Sequence, residues 1–223
     1  MITSPDNDKL KLIRKLRQRK HRDRTGLCVA EGEDLVAAAL AHTEVSFVLT
    51  ADDVEAELLA GVSELGSGTR AIAVCEQRWS DAGGEVSVYA HAVSDPANVG
   101  ALIRSAHAFC DGPVVLGPGS ADPWSGKALR AAMGSTFARP PARSSFGELA
   151  GTKVALVPRG GEPLHHFEAE PPIVLCVGAE RDGLPPELAP DRRVSIEMRA
   201  DGPESLNLGV AAAVALHRMA RHG

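Results

Sequence analysis

The stretch Val93-Ser94-Asp95-Pro96-Ala97-Asn98-Val99-Gly100-Ala101-Leu102-Ile103-Arg104 concentrates groups able to do chemistry. It reads as a strand end, a polar turn and the opening of a helix. Val86–Ala90 alternates with period two, and Asp95-Pro96 stops the strand because proline offers no amide to a ladder. Val99, Leu102, Ile103, Ala106 and Phe109 then share one helical stripe. At roughly 100° per residue Arg104 lies about 140° round from Val99, off that stripe. An arginine in the first turns gains nothing from the helix macrodipole, which favours negative charge at that end. An isolated N-x-G-x-x-x-R is also what a solvated arginine beside a turn asparagine looks like, so its meaning depends on the rest of the chain.

Other chemistries find little support. Cys28, Cys75, Cys110 and Cys176 are widely spaced single residues in apolar segments, without a C-x-x-C pair, and read as buried small hydrophobes. The histidines form no H-E-x-x-H, and the side chains of adjacent His165 and His166 diverge in either regular structure, so no metal is expected. Gly117-Pro118-Gly119 lacks the third glycine of a dinucleotide fingerprint, which disfavours a dinucleotide-dependent oxidoreductase. Gly126-Lys127 is followed by Ala128 and lacks the earlier glycine of a phosphate loop, and there is no G-x-S-x-G.

Charge is uneven. Residues 1–25 carry nine Lys or Arg against Asp6, Asp8 and Asp23, a net +6 in a chain whose total is −5, so the remainder is −11. Lys11, Lys15, Arg17, Arg19, Lys20 and Arg22 read as a polyanion-binding stripe, with a solvated helix face as the plain alternative. Leu10, Ile13 and Leu16 make a narrow apolar seam beneath it, and Ser4-Pro5 resembles the helix start.

The elements that position these groups alternate. Strands are expected at Leu27–Ala30, Val45–Leu49 and Ala71–Val74, with helices near 34–41 and 52–59, forming a small α/β unit over 1–82. Past Ser80-Asp81-Ala82-Gly83-Gly84 a second unit, 85–223, carries apolar runs at Val86–Ala90, Val114–Leu116, Val154–Val157, Ile173–Val177 and Val194–Ile196. Each run ends in a polar or glycine-rich loop, the pattern of a mainly parallel sheet with helices on both faces and ligands at its strand carboxyl ends. A helix near 125–133 and a last helix over 206–219, apolar nearly all round, complete it, and the latter calls for burial on several sides. With 44% hydrophobic and 24% charged residues, no apolar run long enough for a membrane and a charged amino terminus, a soluble cytoplasmic protein is expected.

Two further loops stand beside the first. They are Leu175-Cys176-Val177-Gly178-Ala179-Glu180-Arg181-Asp182-Gly183-Leu184, and Ile196-Glu197-Met198 leading to Ser205-Leu206-Asn207-Leu208. In order and spacing, Asn98-Val99-Gly100 to Arg104, Gly178-Ala179-Glu180 to Gly183, and Ser205-Leu206-Asn207 before a small-residue helix resemble the SpoU/TrmH branch of the SPOUT methyltransferases. The resemblance covers roughly Val86 to Gly223. The part before it resembles the ribosomal-protein-like RNA-binding domain often fused to that family. Glu197 stands where the family usually has proline, and Ala179 where a polar residue is commoner.

The resemblance implies a homodimer, a deep trefoil knot near the carboxyl terminus, and S-adenosylmethionine held in that knot by Val157, Val177, Gly178, Gly183, Ile196, Met198, Ser205 and Leu206. It implies 2′-O-methylation of RNA ribose, with ribosomal RNA ahead of transfer RNA because of the appended domain. A non-catalytic RNA-binding or assembly protein of the same fold is the alternative. The catalytic group would be Arg104, Asn98, Glu180, Ser205 and Asn207. A guanidinium is a poor proton acceptor, so phosphate positioning is the preferred role for Arg104. Asn98, Ser205 and Asn207 would brace arginine, substrate and cofactor. Glu180 would order the loops or hold a partner across the site, with a loop brace for Glu180 and an N-cap for Ser205 as the plainer roles.

Overall fold

The computed structural model describes residues 1–66 and 68–220. Its amino-terminal part runs α1 (Asp8–Leu16), α2 (Arg19–Thr25), β1 (Leu27–Glu31), α3 (Glu33–His42), β2 (Val45–Thr50), α4 (Ala56–Val62) and β3 (Ala71–Glu76). The strands form an antiparallel sheet in the order β1-β3-β2. Alternation along central β3 fills both faces. Ile72 and Val74 pack with Leu10, Ile13 and Leu16 of α1 and Leu59 of α4, while Ala73 and Cys75 pack with Leu35 and Val36 of α3.

Two expectations for this part change. Helix α1 starts three residues later than the Ser4-Pro5 signal suggested: the Ser4 hydroxyl accepts from Asp6 N–H in a turn, and the side chain of Asn7 accepts from Lys9 N–H as the true cap. The basic stretch is also two helices, because the chain breaks at Arg17-Gln18. The break turns Arg22 inward, where Nη1 donates to the carbonyls of Leu16 and Arg17 at the end of α1 (2.7 and 2.8 Å) and Nη2 meets Asp122 at 2.6 Å. Arg22 is 5% exposed, so it belongs to the interior and not to an RNA-facing surface.

The second part continues β4 (Val86–Ala90), α5 (Pro96–Phe109), β5 (Val114–Leu116), α6 (Gly126–Ala132), α7 (Ser135–Ala138), β6 (Ala142–Arg143), β7 (Thr152–Leu156), β8 (Glu162–Pro163), β9 (Ile173–Val177), β10 (Arg192–Ser195) and α8 (Leu208–Met219). Seven strands run parallel in the order β6-β5-β4-β9-β7-β10-β8. One face, with Val88, Ala90, Val114, Leu175 and Val177, is covered by the apolar sides of α5 and α8, including Leu102, Ile103, Ala212 and Leu216. On the other face, Tyr89, Val115, Val174 and Cys176 pack against Phe146, Leu149, Leu184 and Leu188 from single 3-10 turns and loops, in place of long helices.

The two parts share a core in which Trp124, Leu129 and Phe137 pack with Cys28, Ala30 and Ala39. The Arg22–Asp122 pair lies at the same junction. All four cysteines are buried, and burial pushes the thiols of Cys110 and Cys176 up to about 12, which leaves them unreactive. Among the described residues no helix is long and apolar enough to cross a membrane.

Candidate active site

Helix α5 is held at its start by Asp95, whose carboxylate accepts from Ala97 N–H (3.0 Å) and pairs with Lys127 (2.7 Å). Those two donors, Lys127 first, hold the Asp95 carboxyl below its ordinary value. Gly100 lets α6 approach, since a Cβ there would sit 2.3 Å from the Ala128 carbonyl oxygen. With α5 fixed on two sides, Asn98 is buried beneath its first turn. Arg104 stands on the exposed side and makes no hydrogen bond or ion pair among the described residues.

Asn98 is the meeting point of three segments far apart in sequence. Its Nδ2 donates to Glu180 Oε1, and its Oδ1 accepts from Asn207 Nδ2 at 3.1 Å. Asn207 Oδ1 in turn accepts from the N–H groups of Gly209 (2.9 Å) and Val210 (3.3 Å), so Asn207, and not Ser205, caps α8. Glu180 takes the bracing role. Its loop closes on itself through Ala179 N–H to the Gly183 carbonyl (3.1 Å) and Gly183 N–H to the Ala179 carbonyl (2.9 Å). Gly183 has φ +67°, and a Cβ on Gly178 would lie 2.1 Å from the Gly183 backbone, so both positions need glycine.

Beside this network lies a cavity of about 690 Å³ at the carboxyl ends of β7, β9 and β10. That volume falls within the roughly 300–1,000 Å³ usual for small-molecule sites, and strand carboxyl ends are where parallel sheets bind ligands. Val157, Gly178, Gly183, Ile196, Met198, Ser205 and Leu206 all line it, together with Glu180 and Asn207. Val177 does not: its side chain is fully buried in the sheet core and leaves the wall to Gly178. Arg104 is not part of the wall. Sequence reasoning missed Arg159, Arg181 and Arg193, which also line the cavity. Their only signal was position, after β7, after β9 and on β10.

The basic face keeps Lys11, Lys15, Arg17, Arg19 and Lys20 exposed, with Lys11 paired to Asp6 and Arg19 to Asp23. His21 sits among them. Desolvation, then the charges of Arg24, Lys20 and Lys15, hold its imidazole below the ordinary value.

Residues 85–217 match the model of the SpoU rRNA Methylase family. The chain belongs to that family. Residues 7–82 match an MRM3-like substrate binding domain. Over 98% of both chains this SpoU methylase is 31% identical to 23S rRNA (guanosine(2553)-2'-O)-methyltransferase RlmP of Bacillus subtilis. Its structure superposes on an AdoMet-bound rRNA methyltransferase of Sinorhizobium meliloti with a TM-score of 0.86 and 29% identity, covering 97% of this chain and 95% of that one. The SpoU methyltransferase AviRb of Streptomyces viridochromogenes, in complex with AdoMet, gives 0.82 and 25%, with 95% and 96% covered. In this SpoU methylase the Glu180–Asn98–Asn207 chain, buried at Asn98, therefore joins three loops around a cofactor-sized cavity.

Proposed function

We propose that this SpoU methylase transfers a methyl group from S-adenosylmethionine to a ribose 2′-oxygen of ribosomal RNA. The observation that carries the reading is the hydrogen-bond chain Glu180–Asn98–Asn207, which draws the three loops together beside the cavity. The cavity suits the cofactor in size and in chemistry. Ile196, Met198 and Leu206 give apolar surface for a planar base, and the glycine backbone at 178 and 183 leaves amides and carbonyls near the wall for its polar edge. When bound, the cofactor supplies an electrophilic methyl group on sulfur.

The chain's own residues would then hold the acceptor. Arg104, exposed and without a partner, grips an RNA phosphate through two parallel N–H donors and so fixes the neighbouring ribose. The guanidinium, already protonated, cannot take the 2′-hydroxyl proton, which would leave by way of an oxygen of the phosphate that Arg104 holds and pass on to water. Asn98 keeps the first turn of α5 in register with the two cofactor loops. The Ser205 hydroxyl lines the wall free to meet cofactor or substrate.

Residues 1–82 serve as the RNA-docking unit, through Lys11, Lys15, Arg17, Arg19 and Lys20, and 85–223 as the catalytic unit. A second copy covers α8, where Val210 and Val214 are 52% and 44% exposed. The carboxyl-terminal segment threads a trefoil knot, and the enzyme works in the cytoplasm, where ribosomal RNA matures.

Calorimetric titration of the whole protein with S-adenosylmethionine tests the cofactor half of this reading. Wild type and Arg104→Ala should bind alike, while Arg104→Ala loses methyl transfer by on the order of a hundredfold or more. Gly178→Val, which forces a side chain into the Gly183 backbone, should lose binding while a thermal melt reports it folded. Cofactor binding that fails in Arg104→Ala, or survives in Gly178→Val, contradicts the assignment.

A further inference from the structure

Beyond residue 25, every described lysine and arginine but four is already engaged with a hydrogen-bond acceptor, a carboxylate or an aromatic ring. Arg130 holds Glu64, Arg192 holds Glu162, Arg139 holds the Cys110 carbonyl, and Arg143 lies over Trp79 at 3.9 Å. The same holds for the others of this part. The four exceptions are Arg104, Arg159, Arg181 and Arg193. This part of the chain has acid in excess, so partners are plentiful, yet the three cavity arginines have none.

Their placement is ordered as well. Arg159 follows β7, Arg181 follows β9 and Arg193 lies on β10, and these strands are neighbours in the sheet order β9-β7-β10. Arg193 is level with Ala155 of β7 and Cys176 of β9, while Arg159 and Arg181 lie four and five residues beyond those positions, so the three follow one another across neighbouring strands as a staggered row along the cavity wall. Two acids share the wall. Glu180 accepts from Asn98 and Asp182 has no partner, and against three arginines these two carboxylates leave the wall one positive charge in excess.

We propose that Arg159, Arg181 and Arg193 form a phosphate-binding row that takes the RNA backbone flanking the target nucleotide, on the cavity side of the site. This rests on the reading of the cavity as the methyl-transfer site. The ligand chemistry is an oxyanion, which either the RNA backbone or the cofactor's carboxylate could supply. A single carboxylate cannot reach guanidinium groups staggered over four to five residues of strand length, whereas successive phosphates of an RNA backbone can. A backbone held there as well as at Arg104 would have two fixed points, while the α1–α2 basic face anchors RNA elsewhere. Because such contacts supply affinity and register but not base identity, the row sets position and not sequence preference.

The test uses full-length protein, with Arg159→Gln, Arg181→Gln and Arg193→Gln singly and together. Binding of an unmodified large-subunit ribosomal RNA transcript is followed across a salt series, and S-adenosylmethionine affinity is measured separately by calorimetry. The triple variant should lose roughly tenfold or more in RNA affinity, and its slope of log affinity against log salt should flatten by about 2, as expected for three phosphate contacts on a single strand. Cofactor affinity should stay within about twofold. Steady-state kinetics should show a raised KM for RNA. A cofactor affinity that falls roughly tenfold with an unchanged salt slope would assign the row to the cofactor carboxylate and overturn the proposal, as would no change in either. Wild type that binds the transcript but transfers no methyl group would instead sink the methyl-transfer reading, and the salt slope would still decide the arginine row.

Discussion

Asn98 reaches two loops at once, so its loss should act through both. Asn98→Ala leaves the Glu180 carboxylate and the Asn207 amide without their partner, and a hydrogen bond to a charged group is worth about 1.5–3 kcal/mol. Methyl transfer should therefore fall roughly 10–100-fold. Asn98→Asp should be worse, because it sets a second carboxylate against Glu180; steady-state kinetics of the two variants side by side check the order, and an Asp variant as active as wild type refutes the bracing role. At this scale much of the site was legible in the sequence. Asn98, Glu180 and Asn207 carried a motif, and six further cavity residues lay in the same loops. Arg22 was misread because a charge run looks the same whether its helix is continuous or broken. The acceptor that decided its fate, Asp122, is a hundred residues away.

Among elements, the joint between the amino-terminal helices and the parallel-sheet part is the Arg22–Asp122 pair, which also caps α1 through the Leu16 and Arg17 carbonyls. Removing one partner of a buried pair costs about 3–5 kcal/mol, because the other charge stays behind without water. Arg22→Met and Asp122→Leu should each lower stability by about that much in denaturant titrations, and the double variant should lose less than the sum of the two, since only the Leu16 and Arg17 carbonyls and the Trp124 N–H then lack their partners. Equal, additive losses would show that the two side chains do not act as a pair. Most element positions followed from periodicity, since α3, α5, α6 and α8 and the longer strands each carry an apolar pattern of the right period. Strands β6 and β8, two residues each, are too short to carry any. The start of α1 was set by Asn7, a cap as good as the serine before it and nearer to the apolar seam.

For the whole molecule, the sheet order puts β9 between β4 and β7, a crossing that no local pattern encodes. The exposed valines of α8 belong to this scale too. Sedimentation should show a stable dimer, and Val210→Lys with Val214→Lys should give a folded monomer with weakened methyl transfer; a fully active wild-type monomer would contradict the shared surface. The central claim is that this chain methylates ribose in ribosomal RNA. Its most direct test is transfer of radiolabel from S-adenosylmethionine to separated, undermodified ribosomal and transfer RNA, with wild type and Arg104→Ala in parallel, followed by alkaline hydrolysis. The expected result is label on ribosomal RNA, absent with the variant, recovered in alkali-resistant dinucleotides because a 2′-O-methyl group blocks cleavage. Label recovered only in mononucleotides, or confined to transfer RNA, would contradict it.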